Sequence, residues 1–274
     1  ALNFDYFKLL DLLTIARSRK HIEKYYDIAE IGEFPERAKP VNIKTDIDSE
    51  DAFPPLSEIN RDIRRLNLSA YAPLKYVLPE KMDDYSRKYD MQVSGGSVFK
   101  QIDREQSLIH LMRVNLFKRM ESSINSFTLT VGKLLHHVRA IIERIDAHED
   151  MDIEELNIEE IEIDSEEFAP FLIGKKVRVL IQDMDRIRWK QELEEDEVQL
   201  SKLLLAAQDI DGARDEKLAR LKASIAKKVR QPINPKCLKV LVFTAFADTA
   251  YYLYEHMAEW AGRELGIHTA LVTG

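Results

Sequence analysis

Residues 239–274 read KVLVFTAFADTAYYLYEHMAEWAGRELGIHTALVTG. The run Val240-Leu241-Val242-Phe243 is short, continuous, and rich in β-branched and aromatic side chains. It predicts a strand from Lys239 to Thr244 that is covered on both faces. Asp248 or Thr249 can start a helix over about 248–265, and Gly266 stands where a helix end favours a left-handed residue. A second strand is expected from His268 to Thr273. Strand, crossover helix and strand make one right-handed βαβ unit. Two strands do not make a stable sheet, so partners are expected from elsewhere. Gly274 falls where a larger α/β domain would be getting under way.

The residues ahead of this stretch read as mostly helical. From Asp103 to Ile145 there is no proline, and apolar residues recur at 109, 112, 116, 120, 124, 127, 131, 134, 138, 141 and 145. Steps of three and four mark one buried helical stripe. A single helix of that span would reach about 60 Å, with Asp103 and Gln106 as its starting cap and any bend expected at Gly132. A second long helix is expected over Val177 to Gln208. A third, about Arg214 to Val229, keeps Leu218, Leu221, Ile225 and Val229 on one face. Shorter helices are predicted over residues 4–26, Leu56 to Leu66 and Pro73 to Tyr89, the last kinked at Pro79. Val41 to Lys44 is a candidate strand, and Ser94 to Ser97 a loop. The fold class that follows is mainly α, with long antiparallel helices ahead of an incomplete α/β unit. Three regions are expected: 1–100, 101–232 and 233–274.

Composition narrows the setting. Over 274 residues, 45% apolar content suffices for a sizeable core and more than one folding unit. One cysteine, Cys237, excludes an intramolecular disulfide and a cysteine-based zinc site, and suits a reducing cytosol. No apolar run approaches the roughly 20 residues that span a bilayer, so no membrane partner is expected. Ala1 in place of Met points to a processed or excised start. The net charge is −8, but residues 146–167 hold twelve acidic side chains and no Lys or Arg. With those twelve set aside, the remainder carries +4. Such a run reads as a solvated linker rather than as a metal site built on Asp146, His148, Glu149 and Asp150.

Motifs for chemistry are missing. No Gly-x-x-x-x-Gly-Lys-Ser/Thr loop is present to hold phosphates, and Gly95-Gly96 near Lys100 reads as a turn. No His-Glu-x-x-His pair occurs, and adjacent His136 and His137 diverge on a helix. Asp46, Asp48 and Glu50 echo a calcium loop, yet Asp51 occupies the place of its glycine. No catalytic residue, cofactor site or metal site is expected in these residues.

Four stretches nevertheless resemble one family. Lys239 to Ala250 with its aromatic-rich helix is similar to the start of the second RecA-like lobe of superfamily-two helicases, nearest the Swi/Snf-like branch. Asp215-x-Lys217-Leu218 with Leu221 and Ile225 resembles the D-x-K-x-x-x-L helix leading into that lobe. Arg17-Ser-Arg19-Lys20-His-Ile22 followed by Phe34-Pro35-Glu36-Arg37 resembles the R-R-x-K and L-P-x-R pair that follows the last motif of lobe one. Leu111 to Ser123, LMRVNLFKRMESS, resembles a helix common in bacterial members. The four occur in the family's order.

The resemblance implies an ATP-driven motor of the P-loop NTPase type that moves along or remodels double-stranded DNA in the bacterial cytosol. ATP and Mg would sit between the lobes, on a nucleotide loop and Asp-Glu box upstream of Ala1 and an arginine finger downstream of Gly274. Residues 1–274 would then be the inter-lobe segment, inactive alone. The nucleic-acid-binding residues implied are Thr244, Ala245 and Phe246 at the end of the first lobe-two strand, and Thr273 and Gly274 at a second turn. Arg17, Arg19 and Lys20 are candidate phosphate contacts that read equally as a charged helix face. Two other expectations are a helical module whose long helix and acidic segment bind a partner protein, and a stand-alone nucleic-acid binder without ATPase.

Overall fold

The computed structural model describes residues 34–92, 98–147, 177, 179–235 and 237–273, together with Arg19, Ile22 and Glu23. The described residues are mainly helical. Helix α1 spans Leu56–Arg65 behind Pro54 and Pro55, and α2 spans Pro79–Tyr89. Pro79 occupies the first turn of α2, where its missing N–H costs nothing. It therefore starts a helix instead of kinking one, and Pro73–Tyr76 ahead of it forms a separate 3-10 turn. Strands β1, Met91–Gln92, and β2, Val98–Phe99, make one small antiparallel hairpin with Met91 opposite Phe99. Then come α3, Gln101–Ser122; α4, Ile124–Asp146; α5, Arg186–Gln208; α6, Glu216–Arg230; and α7, Ala247–Leu265.

The chain divides into two units, residues 44–226 with 240–274, and residues 1–43 with 227–239. In the larger unit α4 and α5 run antiparallel. Lys190 pairs with Asp146 at one end, Arg139 Nε donates to Glu197 at 2.7 Å midway, and Leu204 faces Gly132 towards the other end. Their seam buries Phe127, Val131, Leu134, Val138 and Ile141 against Trp189, Leu193, Leu200 and Leu203. Helices α1 and α3 complete this core through Ile59, Ile63, Leu108, Met112 and Leu116. Each large apolar side chain so buried contributes about 1.5–3 kcal/mol.

Two buried aspartates fasten the loops around the core. Asp196 on α5 accepts hydrogen bonds from Asn67 N at 2.6 Å, Ser69 N at 2.9 Å and Ser69 Oγ at 2.8 Å. They hold Leu68 at φ 52°, a left-handed conformation that costs a leucine about 1–2 kcal/mol. Burial still pushes the Asp196 carboxyl up. Asp48 accepts from Glu50 N, Ala52 N and Phe53 N and from both ends of the Arg214 guanidinium, at 2.5 and 3.1 Å. The Arg214 hydrogen bonds hold its pKa down at about 2.

Several expectations are corrected. The long helix over 103–145 is two helices, because Ser123 is extended (φ −158°, ψ 150°) and caps α4 by accepting from Ser126 N at 3.1 Å. The helix Ile124–Asp146 runs unbroken through Gly132. The start of α3 is Gln101, whose N–H donates to Asp90 at 2.9 Å, so Asp103 and Gln106 are not its cap. Of the helix over 177–208, only Arg186–Gln208 is α-helical. Val41 to Lys44 is irregular and exposed. Residues 238–244 and 266–273 form no ladder hydrogen bonds, so the strands Lys239–Thr244 and His268–Thr273 are not formed. A strand needs a neighbour to pair with, and among the described residues neither has one. The acidic run beyond Ala147, the loop Ser94–Ser97 and most of residues 4–26 lie outside the described residues. No helix among the described residues is long and apolar enough to cross a membrane.

Candidate functional site

Helix α7 begins without a cap of its own. Phe246, in the capping position, has no side-chain hydrogen bond to offer the first turn, and Thr244 Oγ1 accepts from Phe246 N at 3.3 Å. What holds this helix start comes from the α3–α4 break, more than 120 residues earlier in sequence. Arg119 on α3, 2% exposed, donates from Nη1 to Asp248 Oδ2 at 2.7 Å and to Ser126 Oγ at 3.2 Å. Its guanidinium lies 4.6 Å from the centre of the Phe246 ring, a cation–π contact out of water. Asp248 in the first turn of α7 also meets the positive end of that helix's dipole.

A row of hydroxyls runs beside this charge pair. Ser122 Oγ is 3.1 Å from Thr244 Oγ1 and 2.8 Å from Thr249 Oγ1, and Ser123 Oγ is 3.0 Å from Thr249 Oγ1. The serine pair that interrupts the long helix thus supplies the groups that seat α7. Its neighbour Glu121 offers its carbonyl to Lys217 Nζ at the start of α6.

The same joint takes in the loop before α6. Asp215 caps α6, accepting from Leu218 N at 2.8 Å, and its other oxygen accepts from Tyr252 OH of α7 at 2.9 Å. Burial, with Asp215 alongside, pushes the Tyr252 phenol well above its ordinary value. The His256 ring stands edge-on to Tyr252 at 4.5 Å and lies directly over Gly212. A Cβ on Gly212 would come within 2.5 Å of His256 Cε1, so any larger residue there must displace the His256 ring. Lys222 on α6 reaches 5.7 Å from the centre of Trp260.

The structure therefore brings together Leu111–Ser123, Asp215–Leu218 and the region from Thr244 onward, three of the four stretches singled out in the sequence. Among the nucleic-acid candidates, Thr244 is half-buried, Ala245 exposed and Phe246 buried. Thr273 is exposed and takes no part in the joint; Gly274 lies outside the described residues. In the smaller unit, Arg19 is helical and exposed, with its guanidinium 5.3 Å from the Phe34 ring and Nη1 donating to Pro35 O at 3.4 Å. Arg17 and Lys20 lie outside the described residues. In the same unit, Asn234 grips the Glu36 backbone, accepting from its N–H at 2.7 Å and donating to its carbonyl at 3.0 Å.

Sequence reasoning missed Arg119, Ser122, Asp215 and Tyr252 as members of one site. The pair Ser122-Ser123 inside an apolar helical stripe was the available signal. No cluster of three or more metal-ligating side chains exists among the described residues; of the calcium-like stretch, Asp48 and Glu50 pair with Arg214, Glu50 at 3.3 Å. The His137 ring stacks on Tyr71 at 5.4 Å. Compared with family models, curated proteins and solved structures, the chain gives no match.

Proposed function

We propose that residues 1–274 belong to an ATP-dependent double-stranded-DNA translocase of the Swi/Snf-like type and contribute inter-lobe coupling and nucleic-acid contact. The observation that carries the reading is the convergence at the start of α7. Three stretches that resemble that family separately, near residues 119, 215 and 246, are tied to one another by hydrogen bonds and an ion pair. A second observation supports it. Leu241 is 81% exposed, Phe243 88% and Val272 88%, so the two apolar segments flanking α7 present surface that neighbouring strands of a RecA-like sheet would cover. ATP and Mg belong to the lobes on either side, since these residues supply no phosphate loop. The chemistry left to this chain is binding and transmission. The complete protein containing residues 1–274 should hydrolyse ATP, faster with duplex DNA present, and a substitution in its nucleotide loop should abolish the rate. Hydrolysis indifferent to DNA would contradict the reading.

One observation favours a second reading, a helical module that binds a partner protein. Ile187, Val198 and Leu205 lie on α5 at spacings of eleven and seven, so they share one stripe, and all three are exposed. Capture of a stoichiometric partner that survives deletion of 233–274 and is lost on Val198→Glu would select it.

A further inference from the structure

We propose that the α3–α4 break is the seat that positions the first turn of α7, with Arg119 as the positioning residue, so that load on the Thr244–Phe246 turn passes into the α4–α5 hairpin. This deepens the motor reading above and rests on it for its functional arm. Four features carry the inference.

The break is placed where α7 arrives. The apolar stripe of α3 and α4 continues on both sides of Ser123, so core packing alone gives no reason to interrupt the helix there. Ser122 and Ser123 both spend their hydroxyls on Thr249, and Ser122 also on Thr244. The charge pair is directional, since Arg119 meets Asp248 through Nη1 while its guanidinium carbon lies over the Phe246 ring. A planar guanidinium fixed on two sides sets an orientation as well as a distance. Arg119 is also tied to α4 through Ser126, whose own N–H bonds the capping Ser123. The contacts therefore run without interruption from Phe246 and Asp248 through Arg119 to the first turn of α4, and α4 lies along α5 over its length. Such a route is stiffened because the atoms that carry it, Arg119 Nη1, Asp248 Oδ2, Ser126 Oγ and Ser123 Oγ, are buried or half-buried and each has a named partner.

The side chains of Thr244 and Phe246 thereby acquire a role distinct from direct contact. Thr244 is bonded to Ser122 and Phe246 is covered by Arg119, while Ala245 between them is exposed. The two flanking side chains are pins that present the turn, and any surface offered to a nucleic-acid strand is the backbone and methyl of Ala245.

The test has two arms. In the first, amide hydrogen exchange is followed in residues 1–274, unmodified and carrying Arg119→Gln or Ser122→Ala. The Ala250 amide, bonded to Phe246 O at 3.2 Å, reports the first turn of α7. Both variants should speed exchange at Ala250 and Tyr251 at least ten-fold and leave the last turns of α7 unchanged. Unaltered exchange at Ala250 overturns the positioning role, and Ser122→Ala keeps the test open where Arg119→Gln does not fold. In the second arm, the complete protein is assayed for duplex-DNA-stimulated ATP hydrolysis and for movement along DNA. The variants should keep at least half of the stimulated hydrolysis while movement per ATP falls ten-fold or more. Equal loss of both, or of neither, overturns the transmission role. If the unmodified protein shows no DNA-stimulated hydrolysis, the motor reading fails, and the exchange arm still decides whether Arg119 positions α7.

Discussion

At Asp51 the backbone adopts φ 57°, the conformation a glycine takes without strain. The loop there closes around Asp48, whose carboxylate gathers three backbone N–H groups and Arg214. Asp51 itself is exposed. Asp51→Gly should therefore stabilise the chain by about 0.5 kcal/mol, the left-handed strain relieved less the added freedom of the unfolded glycine; urea unfolding measures it. Glu105 on α3 makes a different demand. It is 4% exposed, one oxygen accepts from Leu74 N at 3.1 Å, and the other has no hydrogen-bond partner among the described residues. Burial lifts its pKa to about 8, against the Leu74 hydrogen bond and the nearby Arg104, both of which lower it. Below about pH 4.5 the folded and unfolded chains both carry this proton, and the stability it confers is complete. As pH rises, the unfolded chain ionises first, so stability falls until the folded form also ionises near pH 8. Glu105→Gln should remove that decline between pH 5 and about 8. An unfolding midpoint with the same slope in both proteins would contradict it.

Among the elements, the joint between α7 and the loop before α6 is tight enough to test by volume. Gly212→Ala forces His256 away from Tyr252 and should cost about 1–3 kcal/mol. His256→Ala in the same chain should recover most of that loss, giving a coupling a double-mutant cycle resolves. The seam of α4 and α5 admits a simpler trial. Leu134→Ala should cost about 2–5 kcal/mol, because the site is closed on every side by buried neighbours. How these elements appear in the sequence follows from what each depends on. The stripe from Met112 to Ile145 was legible because helical periodicity is local, and every member of it from Met112 onward is buried. Gly266 was legible for the same reason and sits at φ 64°. The break at Ser123 was not, since periodicity runs straight through it and its cause is a hydroxyl on α7. Thr244 to Phe246 could be named as a turn of interest, but their partners Ser122 and Arg119 lie more than a hundred residues away. Strands around Val242 and Leu271 have the right composition, yet composition supplies no neighbour to pair with.

For the whole molecule, the described helices make a core of α1, α3, α4 and α5 on which α7 is seated at one end of the α4–α5 hairpin. On the motor reading proposed above, such a body would pass lobe movement to DNA in place of a loose hinge. Breaking the buried Arg119–Asp248 pair should cost about 3–5 kcal/mol of stability, since it strands a charge out of water; Asp248→Asn, which keeps the shape, separates that cost from loss of packing. Movement along duplex DNA is read by displacement of a triplex-forming strand. The complete protein containing residues 1–274 should release that strand from its duplex with ATP and Mg and not with a non-hydrolysable analogue. Release without hydrolysis, or none despite DNA-stimulated hydrolysis, would contradict the account.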